Sequence, residues 1–237
     1  MGMTKTIAII PVLGRTPLVV QTIYRLLHKN RVDAAVCVGD EMVDKIACEQ
    51  AGAHWVSHAN YPLGAKWNAG FRQAAEMGAD NFLFVGSSDW LSDNWLPTVL
   101  PMMDEYDMVG KPDFHLLDVA PPNFRLCHWA GYTDEKRKGE PIGIGRVLSR
   151  RILEPLHFEP FDNSLDRSMD WSMYTRIMLM GGKVKLIHGD HIKSLSISTD
   201  RWGNKHNFES HYSGEKIALV GLFLDEHFPE AYKIFKT

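Results

Sequence analysis

PLGAKWNAGFRQAAEMGADNFLFVGSSDWLSDNW, residues 62–95, decides the fold. It reads as a loop, a helix over 65–77, a strand over 81–85 (NFLFV), and then a carboxylate, Asp89, just past the strand's carboxyl end. Trp67, Phe71 and Ala74 give the helix one apolar side, and Gly78 stops it. In open α/β sheets, ligands bind beyond the carboxyl ends of the strands. An acid there is placed to hold a metal, and a metal there is placed to hold a phosphate.

The preceding residues repeat the same alternation. Residues 6–10 (TIAII) read as a first buried strand. Thr16 and Pro17 open a helix as N-cap and first-turn proline, Leu18, Val19, Ile23, Leu26 and Leu27 form its apolar face, and His28, Lys29 and Asn30 close it. A second strand over 34–38 ends in Gly39-Asp40, a helix follows over 41–51, and 53–58 is a third strand. Such alternation predicts an α/β fold with a mostly parallel sheet and crossover helices. The second part is less regular. Short strands and loops are expected over 107–145, among prolines 112, 121, 122 and 141. A helix starts at Ser149, another runs from Ser168 to Met180, residues 183–187 form a strand, and the tail from Ser213 reads as helical. The expected organisation is a single domain over 1–237, with a soft boundary near 110 and a C-terminal tail over 201–237.

Composition excludes several classes. The net charge of −3 gives no whole-protein attraction to nucleic acid or membrane. Cys37, Cys48 and Cys127 are odd in number and lack CxxC spacing, which fits a reducing cytoplasm. No apolar run reaches the ~18 residues of a membrane span. The N-terminus formally matches a myristoylation pattern at Gly2 and Thr6, but leads straight into the first strand. The first strand–turn–helix, PVLGRTP, has neither GxGxxG nor GxxxxGK[ST], and Gly143-Ile-Gly145 fits the dinucleotide pattern poorly. GxSxG, HExxH and paired CxxC are absent.

Taken in order, Pro11 and Arg15 after the first strand, Asp40 after the second, Gly64, Asn68 and Gly70 on the LGAKWNAGF helix, and Gly86-Ser87-Ser88-Asp89 resemble GT-A-fold nucleotide-sugar glycosyltransferases, specifically family-2-like members. GIGRVLSRRIL and MDWSMYTRIMLMGGKVKLI are similar to that family's acceptor segment and Glu-Asp helix, so the resemblance spans about residues 5–195. It implies a nucleotide-sugar-binding half over 1–110 and an acceptor-binding half over 111–200. It implies a nucleoside-diphosphate sugar donor held by Pro11, Arg15, Asp40, Gly64, Lys66, Asn68 and Ser88, and Mn2+ or Mg2+ held by Asp89. Asp170 would be the general base for an inverting transfer. Two positions depart from the pattern. Ser88 stands where an aspartate is usual, and Met169-Asp170 replaces Glu-Asp.

The roles follow from the side chains. Asp40 can accept from a base edge or a ribose hydroxyl, Arg15 carries a fixed charge near base or phosphate, and Asn68 can orient the sugar or Asp89. His188, in HGDH, is read as a third metal ligand or diphosphate contact. Asp89, Asp170 and Asp40 also read plainly as turn or first-turn residues. Trp67, Trp90 and Trp171 read as packing residues, with Trp90 also placed to stack on an acceptor. Lys136, Arg137 and Lys138 read as a solvated loop, and Arg146, Arg150 and Arg151 as contacts for an anionic acceptor. A glycan, a lipid-linked sugar, a protein and a modified nucleobase all remain open as acceptor, with a soluble one favoured. The tail is read as closing over the donor or as mediating dimerisation. The rival readings are a catalytically decayed nucleotide- or carbohydrate-binding protein, favoured by Ser88 and Met169, and a sugar-phosphate nucleotidylyltransferase, whose glycine-rich loop PVLGRTP lacks.

Overall fold

The structure, a computed structural model, describes residues 4–119, 124–198 and 215–235. Gly2 of the myristoylation pattern, prolines 121 and 122, and the tail entry over 199–214 lie outside the described residues. The elements run β1 (Thr6–Pro11), α1 (Thr16–Tyr24), β2 (Ala34–Gly39), α2 (Met42–Gln50), β3 (His54–Ser57), α3 (Leu63–Glu76), β4 (Asn81–Phe84), β5 (Asp89–Leu91) and α4 (Trp95–Val99). They continue with β6 (Met108–Gly110), β7 (Phe114–Asp118), β8 (Arg125–Trp129), β9 (Arg146–Ser149), α5 (Arg150–Leu153), α6 (Met169–Leu179), β10 (Val184–Leu186), β11 (Ser194–Ser198), β12 (Glu215–Ile217), α7 (Val220–His227) and α8 (Pro229–Phe235).

The main sheet has seven strands in the order β10-β6-β9-β4-β1-β2-β3. All its pairings are parallel except those of β9, which lies antiparallel between β4 and β6. β1 is apolar on both faces because both are covered. Ala8 and Ile10 join a core built with α1, α2 and α4, while Ile7 and Ile9 join one built with α3, α5 and α6. A second sheet, β12-β8-β7-β11-β5, packs under α7 and α8, with Trp90, Leu195 and Ile197 meeting Leu224, Phe228 and Ala231. Both sheets draw strands from both sides of residue 110. Among the described residues no helix is long and apolar enough to cross a membrane.

Several expectations are corrected. Thr16 does not cap α1. Arg15 occupies that position in the left-handed region, and Asp44 of α2 ties the turn by accepting from the Gly14 N–H (2.9 Å) and the Thr16 hydroxyl (2.7 Å). Residues 215–217 form a strand, antiparallel to β8, where a helix was expected. The expected strand and helix boundaries of the first half otherwise agree with the structure to within a few residues.

Candidate active site

The topology creates a crevice. The chain steps from β1 to β2 and β3 on one side, then returns to β4 on the other. The carboxyl ends of β1 and β4 therefore diverge at a switch point, where open α/β sheets bind ligands. Arg15 follows β1 there, and Gly86-Ser87-Ser88-Asp89 follows β4. The Arg15 guanidinium crosses the gap, with Nη1 donating to Ser88 Oγ (3.3 Å) and Nη2 to Ser87 Oγ (3.1 Å).

Asp89 is half-buried at the start of β5. Its Oδ2 accepts the Gly86 N–H (2.9 Å). Burial raises its carboxyl above the ordinary range, while hydrogen bonds from Ser196 and Gly86 and the charge of Arg15 oppose that rise. Burial likewise lowers the pKa of Arg15, against the pull of Asp89. A Cβ on Gly86 would fall 2.4 Å from Asp89 Oδ2, so only glycine admits the carboxylate here.

β9 brings the third group. Phe84 pairs with Arg146, so the residues before β9 lie at the carboxyl end of β4. A Cβ on Gly143 would stand 3.0 and 3.1 Å from the two Asp170 carboxylate oxygens. Asp170, in the first turn of α6, thus rests over Gly143 and interacts electrostatically with Asp89. Behind it is a buried network. Arg146 Nη1 donates to the Asp170 carbonyl (3.2 Å), Nη2 pairs with Glu140 Oε1 (3.1 Å), and Nη2 lies 3.9 Å from Asp170 Oδ1. Arg137 grips Glu140 with two bonds of 2.7 Å and stacks on Tyr132 at 3.4 Å from the ring centroid. Burial, with Asp170 nearby, pushes the Tyr132 phenol well up.

Arg15, Ser88, Asp89 and Asp170 therefore converge, and other candidates do not join them. Asn68 cannot orient a sugar or Asp89, because its amide is taken up by the Phe161 backbone and Asn163. Gly64 admits the chain above it: a Cβ would fall 2.0 Å from the Asp162 carbonyl oxygen. Lys66 is buried beside Val12 and donates to its carbonyl and to Asn60, which in turn donates to Asp40 at the exposed end of β2. Burial lowers Lys66 to about 8, against the pull of Asp40 and Asp44. Pro11 ends β1, half-buried beside this group.

His188 is exposed after β10, three strands from β4 in the main sheet. Among the described residues no three His, Cys, Asp or Glu side chains gather closely enough to hold a metal. Arg146 is fully buried and serves Glu140, not an acceptor. Arg150 donates to the carbonyls of Ala75, in the last turn of α3, and Ala79 beyond it, while Arg151 is exposed and donates to Asp107. Trp67 packs on Phe84 at 4.0 Å. Trp90 is buried under Arg25, 5.2 Å from its ring centroid, and cannot stack on an acceptor. Sequence reasoning missed Asp44, Asn60, Glu140 and Ser196, quoted Ser87 within its motif without a role, and met Gly143 only as part of a weak glycine pair with Gly145.

A cavity of about 550 Å3 flanks α6, lined by Phe161, Asn163, Trp171, Ser172, Thr175 and Arg176 among others. The Thr175 hydroxyl is buried there without a partner.

No protein-family model matches the chain, and no curated protein matches it in sequence. Solved structures do resemble it. A mannosyltransferase from Pyrobaculum calidifontis, in complex with GDP-Man and Mn2+, superposes with a TM-score of 0.54 at 12% identity, over 84% of this chain and 58% of that one. A 4-diphosphocytidyl-2C-methyl-D-erythritol synthase from Anaerococcus prevotii gives 0.53 at 11% identity, over 79% and 90%. TarS from S. aureus gives 0.51 at 13% identity, over 84% and 59%. The chain thus spans somewhat over half the length of the mannosyltransferase and TarS structures. At these identities the likeness establishes architecture: the chain has the GT-A-like nucleotide-diphospho-sugar transferase fold, shared by glycosyltransferases and nucleotidylyltransferases.

Proposed function

We propose that this chain transfers a glycosyl group from a nucleoside-diphosphate sugar to an acceptor hydroxyl, with inversion at the anomeric carbon. The observation that carries this reading is the convergence of Asp170, Asp89 and Arg15 at the switch point. Asp170 takes the proton from the acceptor hydroxyl as that oxygen attacks the anomeric carbon. The bond from that carbon to the diphosphate oxygen breaks, and the nucleoside diphosphate leaves with the electron pair. One base and one in-line displacement give inversion. Asp40, beside β2, is the candidate contact for base or ribose, held by Asn60 and Lys66. Beside α6 the half-buried Trp171 and Ser172 line a cavity with an apolar ring next to a hydroxyl, which supports an acceptor with hydroxyls and an apolar face, such as a glycan.

The expectation of a resident Mn2+ or Mg2+ at Asp89 and His188 is not matched by the donor set, and no step is assigned to a metal. Three buried free cysteines support a reducing, cytoplasmic setting.

The test is thermal stability against UDP-, GDP-, TDP-, CMP- and ADP-sugars, with Mn2+ and with EDTA. A bound donor raises the melting temperature by mass action. A shift for one diphosphate donor, followed by release of its nucleoside diphosphate, is the expected result; no shift for any donor contradicts the reading. Nucleotidyl transfer is the second reading, favoured by the 90% coverage of the diphosphocytidyl synthase structure. It predicts pyrophosphate release from a nucleoside triphosphate instead.

A further inference from the structure

We propose that Arg15, in place of a divalent metal, carries the positive charge that meets the donor's diphosphate. This rests on the transferase reading above and deepens it.

The first support is the donor set. A metal at this edge needs at least one carboxylate oxygen open to it, with phosphate oxygens and waters completing the set. Ser88 supplies a hydroxyl where an acid would stand, and Asp89 Oδ2 is already held by the Gly86 N–H at 2.9 Å. Ser196 adds a further hydrogen bond to the same carboxylate. The charge of Asp170 acts on Asp89, and among the described residues no third His, Cys, Asp or Glu joins them. A guanidinium beside Asp89 also disfavours a dication in the same space.

The second support is how Arg15 is held. Its backbone lies at φ 56, a conformation that non-glycine residues rarely adopt. The surrounding turn is fixed by Asp44 through Gly14 and Thr16, and the Arg15 carbonyl accepts from Leu18 (2.9 Å) and Val19 (3.2 Å). The strained turn aims the guanidinium across the switch point, at Ser87 and Ser88. Of the contacts Arg15 makes, those to the two serines, at 3.1 and 3.3 Å, are long bonds to neutral hydroxyls. Phosphate oxygens are stronger, charge-assisted acceptors, and the guanidinium fork matches their geometry two at a time. A diphosphate entering the crevice would therefore draw Arg15 away from the serines. As the leaving group gains charge in the transition state, the same contact strengthens.

The experiment is calorimetric titration of UDP, GDP, ADP, CDP and TDP, then of the monophosphate and nucleoside of whichever base binds. Each is run in EDTA and in Mn2+, on the wild type, Arg15→Met and Arg15→Lys. The inference expects diphosphate affinity to differ by less than about threefold between the two media. It expects Arg15→Met to lose about 10- to 100-fold for the diphosphate, with the nucleoside unchanged and Arg15→Lys recovering part of the loss. A diphosphate that binds only with Mn2+ overturns the inference and leaves the transferase reading standing. Equal loss for nucleoside and diphosphate in Arg15→Met also overturns it, since that marks a structural role. Should Arg15→Met fail to fold, Arg15→Lys and the wild-type EDTA comparison decide. Absence of binding by every nucleotide in both media overturns the transferase reading, and this inference with it.

Discussion

Replacing Arg146 with methionine tests the network that supports Asp170. Arg146 and Glu140 are both fully buried, 3.1 Å apart. Breaking one partner of a buried pair costs about 3–5 kcal/mol, because the other charge is left without compensation. Glu140 keeps Arg137, through two 2.7 Å bonds, and this pulls the cost towards the lower end. The carbonyl oxygen of Ile142 loses its 2.8 Å donor and that of Asp170 its 3.2 Å donor, and this pushes the cost back up. The expected loss is therefore about 3–5 kcal/mol, or roughly 6–20 °C in melting temperature for a chain of this size. Urea unfolding with linear extrapolation measures it. The double variant Arg146→Met/Glu140→Leu removes the buried pair but leaves Arg137 only its stack on Tyr132, and should recover part of the loss. A loss under about 1 kcal/mol in the single variant, or a double variant no more stable than the single, would refute the account of this network.

Gly143→Ala puts a methyl 3.0 Å from an Asp170 oxygen, so the carboxylate must move by a few tenths of an ångström. Turnover should fall about tenfold with little change in melting temperature, since small misplacements of reacting groups are costly. Gly64→Ala places its methyl 2.0 Å from the Asp162 backbone oxygen, and calorimetry should show a loss of about 2 kcal/mol or more. Lys66 gives a pH signature. Its folded pKa is lowered to about 8, so between there and its unfolded value near 10.5 the unfolded chain holds more protons. Stability contributed at this position therefore rises with pH through that window, by at most about 3 kcal/mol. Against a Lys66→Met variant, the wild type should gain relative stability from pH 8 to 10.5; a flat difference curve would contradict the assignment.

The first half of the fold is legible because its strands are apolar runs closed by glycine or proline, as in TIAII-Pro11, AAVCV-Gly39 and NFLFV-Gly86. Local pattern suffices where a strand is buried on both faces. It fails where long-range pairing decides. Arg146–Ser149 reads as the approach to a helix, and becomes an antiparallel strand only because β4 and β6 flank it. Asp89–Leu91 is only three residues and Ser194–Ser198 is polar at alternate positions, so they are set by their pairing with each other and, for Ser194–Ser198, with β7. The charged residues mislead in the same way. Arg146, Arg150 and Arg151 look like one basic patch, yet Arg146 turns inward to Glu140 while the other two bind backbone and Asp107. Arg137 reads as solvated but bridges Glu140 and Tyr132. Arg15, Asp89 and Asp170 were nameable because each sits just beyond a recognisable strand or at a helix start. Their mutual geometry was not, since β9 and Gly143 set it.

The central claim is inverting transfer with Asp170 as base. The most direct measurement is proton NMR of the sugar released from the donor that stabilises the protein, with water or a simple glycoside as acceptor, for the wild type and Asp170→Asn. The account predicts nucleoside diphosphate release, an anomeric proton of opposite configuration to the donor's, and a loss of about 10²- to 10⁴-fold in rate for Asp170→Asn. Retained configuration, or unchanged turnover in Asp170→Asn, would contradict it.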